Sequence, residues 1–254
     1  MKLIATFIIL TIAWAANGQD AGHPETSPHR LLFGITVSPD LCYRTLINND
    51  GSSYSSAVME VRQKNEEPKF GFTTGLNACF NFSEKLGIEG GLLYSNKGYA
   101  FKNAGLTFGN MIDPRYGFIY PDSGLTEPVQ VTFLYNYIYL DVPVRVIYSF
   151  GEKRTHVVMS VGITTGFLLN TTQTSVIEYQ NGDTNRQTRS QDTDFNTVNL
   201  SATCSAGLDY RVSTVLNIRA EPTFRYGLLR ITDTPVSEYL WNAGLNITCY
   251  YALR

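Results

Sequence analysis

The chain has 254 residues, enough for one large β domain or two small ones, and its 20 Lys+Arg against 22 Asp+Glu leave a formal net charge of −2. That balance gives no electrostatic reason to expect a nucleic-acid partner. Charged residues make up only 17% and aromatic residues 13%, with 16 Tyr and 14 Phe.

Residues 1–18 read as a cleaved signal peptide. Lys2 precedes an apolar run from Leu3 to Trp14, and Ala16 and Gly18 stand at the −3 and −1 positions of a cut before Gln19. The run is too short to span a bilayer as a helix, which needs roughly 20 residues. Residues 19–30 form a polar, Pro-containing flexible leader, and residues 31–254 form the body of the protein.

That body reads as eight strands, each with one apolar and one polar parity, since side chains alternate between faces. Strand one, 31–45, sets Leu31, Phe33, Ile35, Val37, Leu41 and Tyr43 against Gly34, Thr36, Ser38 and Asp40. A polar loop, 48–69, follows. Strand two, 70–82, opposes Phe70, Phe72, Leu76, Ala78, Phe80 and Phe82 to Gly71, Thr73, Gly75, Asn77, Cys79 and Asn81. Only 83–85 separate it from strand three, 86–99, where Leu86, Ile88, Leu92 and Tyr94 point one way and Glu89 and Lys97 the other. A long connection, 100–130, leads to strand four, 131–150, with Ile138, Leu140, Val142, Val144 and Val146 opposite Tyr137, Tyr139, Asp141, Pro143 and Arg145.

After a short turn, 151–154, strand five spans 155–169 and a third long connection spans 170–194. Strand six, 195–210, turns at 211–214 into strand seven, 215–228, which carries Arg219, Glu221 and Arg225 on its polar parity. A medium loop, 229–237, precedes strand eight, which runs to the end. Connections therefore alternate long and short. In outer-membrane barrels the periplasmic turns are short, the external loops long and the strand count even. The expected fold is all-β: an eight-stranded antiparallel up-and-down transmembrane β-barrel with short periplasmic turns and long external loops. A soluble lipocalin-like barrel is the alternative, in which the apolar parity would face inward. Two aromatic girdles favour the membrane: Phe80, Phe82, Tyr148, Phe150, Tyr210 and Tyr251 toward the short turns, and Phe70, Tyr94, Phe167, Phe224, Tyr226, Tyr239 and Trp241 toward the long loops.

In that geometry the polar parity fills a narrow interior with Glu89, Asp141, Asp209 and Glu221 against Lys97, Arg145, Arg219 and Arg225. An isolated charge there is costly. Ion pairs are expected between Glu89 and Arg145 and between Lys97 and Asp141, with Glu221, Arg219 and Arg225 as a third cluster. Pro143 and Pro222 each forfeit a ladder hydrogen bond, so a bulge or bend is expected at both. Inward Gly71, Gly75, Gly87, Gly91, Gly162 and Gly166 make room for long side chains. Cys42, Cys79, Cys204 and Cys249 all fall in strands; Cys42 and Cys79 share a face and could pair, and free thiols are the favoured alternative.

The segments YIYLDVPV (137–144) and KLGIEGGLLYSNKGY (85–99) resemble the PorT-like outer-membrane β-barrel family. The resemblance implies an eight-stranded barrel in the outer membrane, surrounded by outer-membrane lipid and inserted by the barrel-assembly machinery. Some relatives are linked to protein secretion or gliding. The C-terminus departs from such barrels, which usually end on an aromatic: here Ala252, Leu253 and Arg254 follow Tyr250 and Tyr251.

No catalytic, cofactor or metal set emerges. His156 and Ser160 share a parity, yet about 13 Å of strand separates them, far beyond proton-transfer reach. Asp183, Asp192 and Asp194 match no calcium loop and read as a solvated loop; the N-x-Thr triplets at Asn170 and Asn246 lie in or beside strands. The strongest contact candidate is the loop bearing Met111, Ile112, Tyr116, Phe118, Ile119 and Tyr120, as a surface for a protein partner or as a lid over the barrel mouth. The expected role is non-catalytic binding or scaffolding by external loops, within a secretion or envelope complex. A rim enzyme acting on lipid or peptide and a narrow transport channel are the competing readings.

Overall fold

The computed structural model describes residues 31–104, 112–113, 117–118, 128–151, 154–191 and 195–252. In chain order the elements are β1 (Leu31–Asn48), α1 (Ser53–Asn65), β2 (Glu66–Glu67), β3 (Lys69–Asn81), β4 (Leu86–Ala104), β5 (Ile112–Asp113), β6 (Gly117–Phe118), β7 (Pro128–Phe150), β8 (Thr155–Tyr179), β9 (Thr184–Ser190), β10 (Val198–Arg211), β11 (Leu216–Gly227) and β12 (Val236–Ala252). All but β5 and β6 join one antiparallel sheet of ten strands. Its hydrogen bonds run β1–β3–β4–β7–β8–β10–β11–β12, and β12 pairs back onto β1.

Burial follows the strand period of two and decides which parity faces in. Along β7, Tyr137, Tyr139, Asp141, Arg145 and Ile147 are buried while Val144, Val146, Tyr148 and Phe150 are exposed. Asp141 and Arg145 are 1% and 3% accessible; Val144 is 47% accessible. The aliphatic parity therefore lies outside and the charged parity inside, the reverse of a water-soluble sandwich. The outward aromatics cluster at both ends of the sheet, with contacts such as Phe80–Phe82 at 5.3 Å and Tyr148–Phe150 at 4.6 Å near the short turns. Phe72–Tyr94 and Phe224–Trp241, both at 6.0 Å, lie toward the long connections.

Several elements exceed what periodicity predicts. The polar loop 48–69 holds α1 and β2, capped where the Ser52 hydroxyl accepts from the Ser55 N–H. The connection 170–194 is largely strand: β8 runs on to Tyr179 and turns back as β9. Polar side chains with no alternating greasy face hid both. Strand six starts at Val198, later than expected, leaving Phe195 in an isolated bridge to Thr232.

No bulge interrupts the pairing at Pro143 or Pro222. Register is unbroken through both (Pro143↔Thr164, Pro222↔Leu245), and the shifts along β7 and β8 fall instead between Pro128 and Gln130 and between Ile138 and Tyr139, where β8 passes Leu169 as an extra residue. What the prolines do is leave gaps on the other side of their strands. Pairing skips from Gly90↔Val144 to Leu93↔Asp141, and from Ser205↔Thr223 to Leu208↔Ala220, so a missing N–H is absorbed without a slip.

Cys42 and Cys79 are both buried and free. They sit opposite Lys69 and Leu32, ten positions apart along β3, roughly 33 Å at strand rise, so a shared face brings no disulfide. Cys204 and Cys249 are exposed on the outer face.

Four described glycines have positive φ, and at Gly98 a close backbone approach adds to it. Gly98 has φ +139°, and a Cβ there would stand 1.9 Å from the Tyr135 carbonyl oxygen on β7. Gly98→Ala should therefore destabilise the fold by at least about 1–2 kcal/mol, read as a lower urea midpoint in detergent, whereas Gly182→Ala, in an open turn at φ +85°, should cost less.

Candidate functional site

The chemistry-bearing residues lie on the inner face in three tiers. Nearest the short turns an apolar plug of Leu32, Cys79, Ile147, Val158, Tyr250 and Ala252 closes the end. Above it Glu89 and Arg145 stand opposite one another in the β4–β7 register and form an ion pair. Arg145 also reaches Glu221 at 3.5 Å, while Arg219 bridges Glu89 at 3.3 Å and Asp209 at 2.8 Å. The Tyr250 hydroxyl donates to Glu89, and its ring lies 4.6 Å from the Arg219 guanidinium. Ser205 donates to Glu221 at 2.9 Å, and Arg145 donates to Ser160 at 3.2 Å.

The second tier pairs Lys97 with Asp141 at 2.8 Å, and Ser95 donates to the same carboxylate at 2.7 Å. Across the interior Arg225 faces Asp40 at 3.7 Å and donates to Asn246 at 2.9 Å. Asp40 further accepts from Ser38, Thr73 and Asn242. Gly244 leaves space for that carboxylate, since a Cβ there would meet Asp40 Oδ1 at 1.8 Å.

The expected third cluster thus needs correction. Glu221, Arg219 and Arg225 share β11, but each pairs with other strands: Glu221 with Arg145, Arg219 with Asp209 directly opposite on β10 and with Glu89 across the interior, Arg225 with Asp40. On one strand these three are two and four residues apart on the same face, so Arg219 and Glu221 join the lowest cluster and Arg225, four residues further on, reaches the tier above it.

A third tier, at the long-loop end, was not foreseen. Arg44 pairs with both Glu66 and Glu238, and Arg62 of α1 pairs with Glu238 at 3.0 Å. The Arg44 guanidinium lies 3.6 Å from the Tyr99 ring, within a cluster of Tyr99, Val131, Phe133, Tyr135, Tyr137, Tyr139, Ile231 and Leu240. Arg44 falls on the polar parity of strand one, and Glu238 opposes Leu46 in the β1–β12 register. Glu66 had no such signal, because it arrives from the loop.

Beside this tier Lys69 is buried and donates to Asn96 at 2.8 Å and to Asn136. At the start of α1 the Asp50 carboxylate accepts from the Ser52 N–H and the Ser55 hydroxyl. The Ser52 backbone bond chiefly, then the Ser55 hydroxyl, holds its carboxyl below the usual value. The charged form is the one that anchors the helix start. That anchoring is complete above the ordinary carboxylate range and fades as pH falls through the lowered value, which amide exchange at Ser52 and Ser55 should report.

Of the residues singled out for partner contact, Met111, Tyr116, Ile119 and Tyr120 lie outside the described residues; Ile112 and Phe118 pair with one another in the β5–β6 ladder. His156 opposes Asp209 in the β8–β10 register, and Ser160 shares its hydroxyl with Ser205 at 2.7 Å. Asp183 sits in the β8–β9 turn, where the Asn181 side chain donates to it at 2.5 Å; Asp192 and Asp194 lie outside the described residues.

An antiparallel sheet that hides its charges and turns aliphatic residues outward is a protein made for lipid surroundings. The sequence model of the family described as outer membrane protein beta-barrel domain matches residues 17–233, and the chain belongs to that family. Among solved structures it is similar to Neisserial surface protein A, with 9% identity over 88% of this chain and 97% of that chain and a TM-score of 0.42. It is also similar to the outer membrane protein OprG from Pseudomonas aeruginosa, with 8% identity over 89% and 98% and a TM-score of 0.41. For Ail, the attachment invasion locus protein of Yersinia pestis, the values are 12%, 87%, 98% and 0.35. No curated protein matches the chain.

Removing one member of the lowest ion cluster strands its partners. Arg145→Met should cost about 3–5 kcal/mol, because Glu89 and Glu221 remain buried beside one less cation. Glu89→Gln added to Arg145→Met should cost less than the two separate changes summed, measured by urea unfolding in detergent.

Proposed function

We propose that this chain is a closed eight-stranded up-and-down barrel in the outer membrane, filled solid, whose role is non-catalytic and is carried by what stands above its long-loop rim. The observation that carries this reading is the inner face. Seven buried carboxylates (Asp40, Glu66, Glu89, Asp141, Asp209, Glu221, Glu238) are interleaved with six buried cations (Arg44, Lys69, Lys97, Arg145, Arg219, Arg225). Eight strands enclose room only for side chains, and cross-linked ions of both signs leave ions in transit no continuous path. The short turns then face the periplasm and the long connections the exterior, as the family's architecture requires.

Export by residues 1–18, contact with outer-membrane lipid and insertion by the barrel-assembly machinery follow from that placement. The likeness of 137–144 and 85–99 to PorT-like barrels supports a place in a secretion or envelope complex. External binding or scaffolding is favoured because β7, β8 and β9 continue as sheet beyond the aromatic girdle. There β9 is exposed at all seven positions.

Three measurements test the reading. The protein extracted from outer membranes should migrate faster on a gel unheated than heated, and planar bilayers should show no single-channel conductance. Leu76→Arg, at an outer-face position 62% accessible, should cost about 2–4 kcal/mol if that face meets the bilayer midplane; in a sheet whose outer face met water it would be near neutral. Steady conductance, or a neutral Leu76→Arg, would remove the solid membrane barrel.

A further inference from the structure

The upper hairpin carries an unused sheet edge. β9 pairs only with β8 among the described residues, in an unshifted register from Thr172↔Ser190 to Glu178↔Thr184. The turn between them fixes which backbone groups are free. The Tyr179 N–H donates to the Asp183 carbonyl at 3.0 Å, and the Gln191 N–H donates to the Thr171 carbonyl at 3.0 Å. Antiparallel pairing alternates bonded and non-bonded positions. Odd-numbered residues of β9 therefore bond β8, while Thr184, Arg186, Thr188 and Ser190 aim their N–H and C=O groups at the open side.

Exposed edges are normally blunted by Pro, by charged side chains, Lys above all, by a bulge or by extreme shortness. β9 is TNRQTRS, seven regular residues without Pro, Lys or a bulge, and its two Arg are the only charges it carries. Its charge is one-signed: Arg186 and Arg189 are exposed, and neither forms an ion pair among the described residues. Three positions apart on a strand, they project to opposite sides.

We infer that β9 is a docking edge for an extended acidic segment of a partner protein, which adds to the sheet as one more antiparallel strand. Backbone groups of Thr184, Arg186, Thr188 and Ser190 supply the ladder. Arg186 and Arg189 select carboxylates, which on the incoming strand must also stand three residues apart and on opposite sides, where Arg–carboxylate bonds can form. This rests on the external-binding role proposed above and names its site and the chemistry of its partner.

The probe is a synthetic peptide, Thr-Glu-Val-Thr-Glu-Val-Thr, titrated against the full-length protein in detergent, with the Gln-for-Glu peptide as control. Saturable binding that weakens with added salt is expected for the Glu peptide, and at least tenfold weaker binding for the Gln peptide. Thr188→Pro deletes an open-side N–H without touching the β8 ladder and should weaken binding at least tenfold. Thr188→Val, which keeps the N–H and loses only the hydroxyl contact to Thr174 at 2.9 Å, should bind as the parent does. Should Thr188→Pro fail to insert, Arg186→Glu with Arg189→Glu decides in its place, with binding abolished if the edge is the site.

No saturable binding by the parent, or binding by Thr188→Pro or by Arg186→Glu with Arg189→Glu equal to the parent's, overturns the edge. A detergent-stable dimer abolished by Thr188→Pro, with no peptide uptake, assigns the edge to a second copy of this chain and likewise overturns the acidic partner. Either failure in a protein that stays heat-modifiable and non-conducting touches the edge alone; conductance or lost heat-modifiability would overturn the reading beneath it.

Discussion

The whole architecture depends on neutralising Arg145. Its guanidinium lies on the inner face of β7, 3% accessible, and it gathers Glu89 from β4, Glu221 from β11 and Ser160 from β8. Arg219 then ties Glu89 to Asp209 of β10 and to the Tyr250 ring of β12. Six of the strands that encircle the inner face are thus joined by one hydrogen-bonded cluster at a single height. A buried ion that lost its partners would cost several kcal/mol, so the cluster penalises any strand-register slip that moves a charge by one layer. A slip of one residue would also turn every aliphatic side chain inward. The two penalties act on opposite faces of the same strands and fix the same register.

The apolar plug below the two lower ion tiers and the aromatic cluster above them enclose both in low-dielectric surroundings. Tyr99, Tyr135 and Tyr137 stack over one end, with Tyr99 and Tyr135 ring centroids 4.6 Å apart, and the plug around Tyr250 and Ile147 closes the other. Ions bracketed by low-dielectric layers interact more strongly than the same ions in water. Desolvation charges a matching cost, which is why the carboxylates also accept from Ser95, Thr73, Asn242 and Ser205. Each hydroxyl or amide satisfies a lone pair that the cations leave open.

How far the sequence speaks depends on the period of two. Where one face had to be greasy, as in Phe70 to Phe82 or Ile138 to Phe150, alternation revealed strand, face and even the Glu89 and Arg145 alignment, because strand ends are pinned by short turns. Above the girdles both faces of a strand meet water or protein, and the alternation disappears. Thr172 to Tyr179 and Thr184 to Ser190 are strand all the same, because backbone pairing does not require an apolar side. Helix α1 was illegible for a similar reason: Ser53 to Asn65 buries Ser55 and almost nothing apolar, so no stripe marks it. Glu66 escaped because a residue reached through a loop owes its burial to Arg44 of a strand 22 positions earlier.

Membrane barrels leave little of their chain free to recognise anything, and in this one the inner face is committed to holding itself together. On the outer face the residues between the girdles are mostly aliphatic, with Met159, Cys204 and Cys249 among them, and offer lipid area but little selectivity. Among the described residues, recognition by backbone groups is an option where strands extend past the girdles without closing on a neighbour. β9 satisfies that condition because β10 begins at Val198, opposite Phe167, while β8 runs on to Tyr179, so the sheet opens above that level. Its rigidity comes from β7 and β8, whose ladder is continuous from the girdle to Tyr179 apart from the two shifts. A strand held straight by two longer ones has already lost the conformational freedom that binding would otherwise cost.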